Sequence, residues 1–171
     1  TLRQARREDE PDPVAAAIIC ERAGAKSIVA HLREDRRHIN DKDVSAIRKE
    51  VKRFNLEMSL APDIVKIAGK IRPNEATLVP EKRQEITTEG GLDVFRHFSK
   101  VKKVSADLQS KGIEVSLFID PVKRQIDKTR EAGVTTIELH TGKYDRAKTP
   151  AAVNKELKLL KDMTAYAIKL G

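Results

Sequence analysis

The sequence predicts an α/β protein of the (β/α)8 TIM-barrel kind, incomplete over these residues, and three observations predict it. Short aliphatic runs alternate with helical patterns along the 171 residues, and strands joined by crossover helices pair in parallel. Each run closes on a polar residue, His31, Glu57, Glu81, Asp120 or His140, which gathers chemistry at the carboxyl ends of the strands, where parallel folds bind ligands. No Gly-x-Gly-x-x-Gly follows any run, so the dinucleotide-binding version of an open, doubly wound sheet has no support. A barrel needs eight strands, usually in about 250 residues. Against that plan the sequence expects a strand ahead of Thr1 and two strands with their helices beyond Gly171 (strands 1, 7 and 8), leaving 1–171 as a single partial barrel domain.

The elements follow in order. Residues 1–10 lack periodicity and read as a loop. Asp12 caps a helix that has Pro13 at its first position, runs to about Ala23 and stops at Gly24. Ile28-Val29-Ala30 is a buried strand ending at His31. Asn40 or Asp41 caps a helix whose Val44, Ile47 and Val51 recur at helical spacing. Phe54 to Met58 is the second strand, and the helix from Pro62 turns Ile64, Ile67, Ala68 and Ile71 to one side. Ala76 to Val79 is the third strand. The loop 81–91 carries Lys82, Arg83, Thr87, Thr88 and Gly90-Gly91, and a helix is expected from Leu92 to Ser110. Ile113 to Ile119 is apolar enough for a strand buried on both faces. A short helix from Asp120-Pro121 to Gly133, a strand from Thr135 to Leu139 and a helix from Ala151 to Leu170 complete the chain.

Composition narrows the function classes. With 39% hydrophobic and 35% charged residues the chain is globular, with a heavily charged surface. No apolar stretch approaches the roughly 20 residues of a membrane span, so no membrane partner is expected. The net charge of +8 invites a nucleic-acid reading, but only 4% of residues are aromatic and no nucleic-acid module is visible. Lys100, Lys102, Lys103, Lys155, Lys158 and Lys161 read as solvated helix faces instead. The single cysteine, Cys20, cannot form an internal disulfide, fits a reducing cytoplasm and reads as a core residue.

The residues that carry chemistry lie at strand ends. His31 and Glu57 close neighbouring strands, and an imidazole beside a carboxylate can shuttle protons in enolisation, dehydration or imine chemistry. Arg33, Arg36, Arg37 and His38 follow His31 at once. Their guanidinium forks match phosphate oxygens, while pairing with Glu34 and Asp35 is the competing use. Thr87 and Thr88 ahead of Gly90-Gly91 offer hydroxyls and close backbone approach, although Thr88 could equally be a helix cap. Glu138 and His140 share one side of their strand, and a glutamate facing a barrel interior needs a partner or a role. Zinc-ligand spacing, a Gly-x-Ser-x-Gly and a P-loop are all missing, so no metal, serine nucleophile or ATP site is expected.

Six segments carry a resemblance: 31–39 (His-Leu-Arg-Glu-Asp-Arg-Arg-His-Ile), 55–58 (Asn-Leu-Glu-Met), 78–83 (Leu-Val-Pro-Glu-Lys-Arg), 87–93 (Thr-Thr-Glu-Gly-Gly-Leu-Asp), 115–120 (Val-Ser-Leu-Phe-Ile-Asp) and 138–142 (Glu-Leu-His-Thr-Gly). In order and wording they resemble the pyridoxine 5'-phosphate synthase family, and residues 1–6 resemble the loop after that family's first strand. The resemblance implies a (β/α)8 barrel, octameric and cytoplasmic, in the deoxyxylulose-phosphate-dependent route to vitamin B6. It implies a transferase that joins 1-deoxy-D-xylulose 5-phosphate to 3-amino-2-oxopropyl phosphate, releasing phosphate and water to give pyridoxine 5'-phosphate, with no metal or organic cofactor. By motif position His31 and Glu57 are the implied proton acceptors and Glu138 the transition-state stabiliser. Arg33, His38 and Thr87 are the implied contacts to deoxyxylulose phosphate, and Arg6 a contact to the amino ketone phosphate.

The sequence also departs from that family. Nothing corresponds to its first-strand Asn-x-Asp-His motif, and its third catalytic histidine and its Gly-His phosphate contact fall beyond Gly171. Lys26-Ser27 replaces a commonly acidic-glycine pair, a change expected to be harmless. The alternative is a non-catalytic phosphate-binding or assembly fragment of the same barrel. Five strands leave two open edges, so the isolated chain is expected to be poorly stable or to associate.

Overall fold

The structure, a computed structural model, describes residues 10–80 and 90–171. The sequence readings for Arg6, Glu81, Lys82, Arg83, Thr87 and Thr88, and for the opening loop up to residue 9, lie outside the described residues.

The elements run α1 (Pro13–Arg22), β1 (Ile28–Leu32), α2 (Asp41–Glu50), β2 (Phe54–Met58), α3 (Pro62–Ile71) and β3 (Glu75–Leu78). They continue as α4 (Phe98–Ser110), β4 (Glu114–Ile119), α5 (Lys123–Glu131), β5 (Thr136–Leu139), α6 (Gly142–Asp145) and α7 (Pro150–Leu170). Local chemistry sets most boundaries. Asp12 accepts a 2.8 Å hydrogen bond from the Val14 amide with Pro13 at the first helical turn. Asn40 caps α2 through a capping box, its side chain accepting from the Asp43 amide while the Asp43 carboxylate accepts from the Asn40 amide. Gly24 follows α1 at φ +106°, a conformation that glycine adopts without strain.

All five strands are parallel and lie in sequence order, β1-β2-β3-β4-β5. That order is what a barrel requires, because each strand adds to the same side of its predecessor and no reversal point occurs. The sheet does not close: β1 and β5 are its edges.

The register sorts the side chains. One face presents Ala30 and Leu32, Phe54, Leu56 and Met58, Ala76 and Leu78, Val115, Leu117 and Ile119, then Ile137 and Leu139. Most of these are fully buried, packed with Val44, Ile47, Ile64, Ala68, Val101, Leu108 and Ile126 from the helices. The core therefore lies between sheet and helices, and each large aliphatic buried there contributes about 1.5–3 kcal/mol. The opposite face presents Val29, His31, Asn55, Glu57, Thr77, Ser116, Phe118, Thr136 and Glu138. In a barrel this is the inner face, and here it is polar.

Three expectations change. Ile28-Val29-Ala30, read as a buried strand, is only partly buried, with Val29 54% exposed on the polar face. The helix expected from Leu92 begins only at Phe98. The Leu92 amide donates to the Phe118 carbonyl at 2.7 Å and the Val94 amide to Gln125 Oε1 at 2.9 Å, so partners on β4 and α5 satisfy backbone groups that a helix would have used. Leu92 and Val94 are still buried, by docking rather than by helical periodicity. Cys20 is exposed, not part of the core. α1 turns Val14 and Ala17 inward and uses Glu21 to accept from the Lys52 amide, which leaves Ile19 and Cys20 on its outer side.

The two faces predict opposite responses to truncation. Leu117→Ala, in the sheet–helix core, is expected to lower unfolding free energy by about 2–5 kcal/mol. Val29→Ala, on the polar face and 54% exposed, is expected to change it by less than about 0.5 kcal/mol. Urea denaturation of both variants reads the difference, and equal losses would contradict this assignment of faces.

Candidate active site

The parallel register places His31 directly beside Glu57, and Glu57 beside Thr77. His31 Nδ1 stands 3.9 Å from Glu57 Oε2. That is too long for a hydrogen bond but close enough for each charge to be felt by the other. Two residues below Glu57, Asn55 points to the same face and exchanges two hydrogen bonds with Thr77, Nδ2 to Oγ1 at 3.0 Å and Oγ1 to Oδ1 at 3.1 Å. This buried pair braces β2 against β3 beneath the Glu57 carboxylate. Sequence reasoning missed both residues. Their signal was the two-residue period that Asn55 shares with Glu57.

The environment tunes the two titratable groups in opposite directions. Burial, then the positive charge of Arg33 and the neighbouring His38, lowers the His31 pKa from 6.5 to about 4, with Asp35 opposing. The imidazole is therefore neutral at physiological pH and has a lone pair to accept a proton. Burial raises Glu57 above the ordinary carboxylate value, and the like charge of Glu138 adds to the effect. Glu138 is exposed on the edge strand β5. It is also shifted upward, first by the partial desolvation of its carboxyl and then by Glu75. Glu138 thus reaches Glu57 through its field, and the described residues show no contact between them.

The loop after β1 distributes its charges unevenly. Arg33 is buried and directs Nε to Asp35 at 3.3 Å. Arg37 holds the same carboxylate at 2.7 Å. Although desolvation opposes them, the bonds from Arg37 and Arg33 lower the Asp35 pKa to about 2. Arg36 takes a left-handed backbone (φ 54°) and bridges Asp41 and Asp63 at 3.0 Å each, with a third bond to the Glu34 carbonyl. It staples the loop to the first turns of α2 and α3. Ion pairing accounts for Arg36, but with Asp41 and Asp63 in place of the Glu34 and Asp35 carboxylates that the sequence reading offered, whereas Arg37 does take Asp35. Arg33 and His38 remain beside His31, and desolvation followed by nearby positive charges, Arg33 among them, holds His38 below its ordinary value.

The carboxyl ends of β4 and β5 meet at Asp120 and His140, joined at 3.0 Å. A cavity of about 500 Å³ opens on the same rim, lined by Glu34, Ser59, Leu60, Val79, Gly91 and His97 among others. It excludes His31 and Glu57, whose surroundings are an open face because the sheet does not close. Among the described residues no grouping of three His, Cys, Asp or Glu side chains is placed to hold a metal ion. No helix among them is long and apolar enough to cross a membrane. Of the residues singled out from sequence, the structure brings His31, Glu57, Arg33 and His38 to one end of the sheet. It places Glu138 three strands away from Glu57 on the same face.

The His31 environment has a measurable consequence. NMR titration is expected to show its imidazole protonating near pH 4. The folded value lies below the unfolded one, so the unfolded chain binds the proton first. The stability contribution, at most about 3 kcal/mol, is complete above pH 6.5 and is lost as pH falls toward 4. His31→Asn should flatten that part of the stability profile. A His31 that titrates at 6.5 or higher would contradict the assigned environment.

Comparison with known proteins bears on the family and the fold. The whole chain, residues 1–171, matches the family described as pyridoxal phosphate biosynthesis protein PdxJ. It is 54% identical over 172 aligned residues to the pyridoxine 5'-phosphate synthase of Coxiella burnetii, covering all of this chain and 72% of that protein. It is 50% identical to the synthase of Pelodictyon phaeoclathratiforme, with 73% of the relative covered, and 52% identical to that of Trichodesmium erythraeum, with 72% covered. Among solved structures, D-psicose 3-epimerase from Clostridium cellulolyticum H10, crystallised with D-tagatose, aligns with a TM-score of 0.50 at 10% identity. That alignment covers 88% of this chain and 66% of the epimerase, a likeness of fold alone. A match along its full length, together with relatives half identical to it, makes this chain a member of the PdxJ family of pyridoxal phosphate biosynthesis enzymes.

Proposed function

We propose that the polar face condenses 1-deoxy-D-xylulose 5-phosphate with 3-amino-2-oxopropyl phosphate to give pyridoxine 5'-phosphate, inorganic phosphate and water, with His31 and Glu57 moving the protons. The observation that carries this reading is the juxtaposition of a neutral imidazole and a carboxyl of raised pKa, 3.9 Å apart on one strand pair. The chemistry needs both. The amine of one substrate adds to the carbonyl of the other and water leaves to form an imine. A carbon beside the imine then gives up a proton, which a neutral His31 accepts. Departing hydroxyl groups need a proton, and burial, by raising the Glu57 pKa, favours the protonated carboxyl that would supply it. Glu138 contributes negative charge toward the cationic iminium that develops between these steps.

Phosphate recognition falls to guanidinium groups and hydrogen-bond donors. Arg33 and His38 grip the deoxyxylulose phosphate, with Thr87 adding a hydroxyl, and Arg6 meets the amino ketone phosphate. In this reading Arg33 exchanges part of its long pairing with Asp35 for phosphate oxygens, a closer geometric match to the guanidinium fork. The reaction uses no metal or organic cofactor. The wider reading takes 1–171 as one partial barrel domain of a cytoplasmic homo-octamer, with no nucleic-acid or membrane partner. The exposure of Val29 and the open edges of β1 and β5 favour a second reading, a non-catalytic phosphate-binding or assembly module built on the same barrel.

Fluorescence of pyridoxine phosphate formed from the two substrates tests both readings. The 171-residue chain is assayed beside a chain extended to the length of its relatives. His31→Asn and Glu57→Gln are each expected to lower kcat on the order of 10²–10⁴-fold, with KM changed little. Arg33→Ala is expected to raise KM for the deoxyxylulose phosphate about tenfold or more. Retention of a tenth or more of kcat by both His31→Asn and Glu57→Gln would overturn the proton-transfer assignment. Phosphate binding without turnover in either chain would support the module.

A further inference from the structure

Arg36 stands in the middle of the loop that carries Arg33 and His38, and the proposed chemistry makes no use of it. The loop is short and pinned at both ends: Leu32 before it is fully buried, and Ile39 after it is buried as well. Between them the Arg36 amide closes a tight turn on the Arg33 carbonyl at 3.0 Å. The next amide, Arg37, donates to Asp35 Oδ1 at 3.1 Å. Arg36 holds a left-handed backbone, φ 54°, which is costly for a side chain other than glycine, asparagine or aspartate. Strain of this kind persists only where the surroundings over-determine it, and it gathers at sites that bind or react.

The surroundings here are specific. All three nitrogens of the Arg36 guanidinium are engaged, in three directions. Nη1 donates to the Glu34 carbonyl at 2.8 Å, Nε to Asp41 Oδ1 at 3.0 Å and Nη2 to Asp63 Oδ2 at 3.0 Å. Asp41 opens α2, and Asp63 lies in the first turn of α3. A further tie runs from Ser59 Oγ, just past the end of β2, to Glu34 Oε1 at 2.8 Å. The loop is therefore fastened to the elements on either side of β2, the strand that carries Glu57. Both bridging carboxylates are more than half exposed, at 53% and 59%, where single ion pairs add little to global stability. The bridge is better suited to shaping the loop than to holding the fold. Arg33 lies three residues before this anchor and His38 two residues after it.

We propose that Arg36 is a positioning residue, locking the turn 33–38 against α2 and α3 and so setting the separation at which Arg33 and His38 receive the phosphate of the sugar substrate. Arg36 acts through geometry and touches no substrate. Only a planar fork reaches the three acceptors at once, which the single ammonium of a lysine cannot do. The proposal rests on the reading of Arg33 and His38 as contacts to deoxyxylulose phosphate.

The experiment combines hydrogen–deuterium exchange at the Arg36 and Arg37 amides with steady-state kinetics, in the chain extended to the length of its relatives. Asp63→Ala leaves every residue of the loop in place. It is expected to speed exchange at both amides and to raise KM for 1-deoxy-D-xylulose 5-phosphate about tenfold, with kcat within about threefold of the parent. Asp63→Glu keeps a carboxylate and is expected to recover both readings, whereas Arg36→Lys is expected to behave as Asp63→Ala does. Leu117→Ala, a core truncation away from the loop, controls for stability and is expected to leave KM within about twofold. Adding Asp63→Ala to Arg33→Ala should change KM little further, because the bridge acts through the contact already removed. Unchanged exchange in Asp63→Ala overturns the lock, and full recovery in Arg36→Lys overturns the need for a fork. Faster exchange with an unchanged KM, an equal rise in KM in Leu117→Ala, or strict additivity with Arg33→Ala overturns the action on the phosphate. If the parent protein binds no deoxyxylulose phosphate, the reading of Arg33 and His38 falls, and exchange at the two amides still decides the lock.

Discussion

The register of the parallel sheet is the constraint on which the rest of this molecule depends. Because side chains alternate with a period of two, a slip of one residue between β1 and β2 would turn His31 or Glu57 into the helix layer and bring an aliphatic to the polar face. The observed pairing of His31 with Glu57 and of Leu32 with Met58 keeps the two sets apart. The driving force lies on the hydrophobic side. Leu32, Phe54, Leu56, Met58, Leu117 and Ile119 are all removed from water, and a one-residue slip would undo that. The position of the titratable pair follows from the burial of residues that take no part in chemistry.

Electrostatics then differentiates groups that look alike in a list of charges. Seven residues after β1 include three arginines, yet their roles diverge. Arg36 is bound by Asp41 and Asp63 across two helices, and Arg37 is committed to Asp35. Arg33 is buried beside His31 and helps keep that imidazole neutral. A net charge of +8 therefore overstates the cation available to a ligand. Lys100, Lys102, Lys103, Lys155, Lys158 and Lys161 all lie on exposed helix faces, as their helical spacing implies.

Much of this was legible in the chain itself. Asp12-Pro13, Asn40 with Asp43, and the apolar runs at 28–30, 54–58 and 113–119 are local signals, and local interactions realise them. The misreading at Leu92 has the opposite cause. Val94 recurs with Phe98, Val101, Val104 and Leu108 at helical spacing, but the acceptors of the Leu92 and Val94 amides are Phe118 and Gln125, some thirty positions away. Periodicity reports which residues are buried and is silent about which backbone groups are already engaged. Cys20 fails in a similar way: its helix is apolar on more than one side, and only packing shows that Ala17 faces inward.

The sequence by itself determined the order of strands and helices, the parallel fold class and the family, because alternating patterns, caps and long ordered motifs are properties of neighbours along the chain. It also pointed to His31 and Glu57, since both close strands. The tertiary structure alone decided that these two stand 3.9 Å apart over an Asn55–Thr77 brace, that Arg36 is a staple, and that Asp120 joins Gly91 to His140. Each of these contacts spans 20 or more residues, and only the burial of the sheet's aliphatic face brings such distant groups within bonding distance.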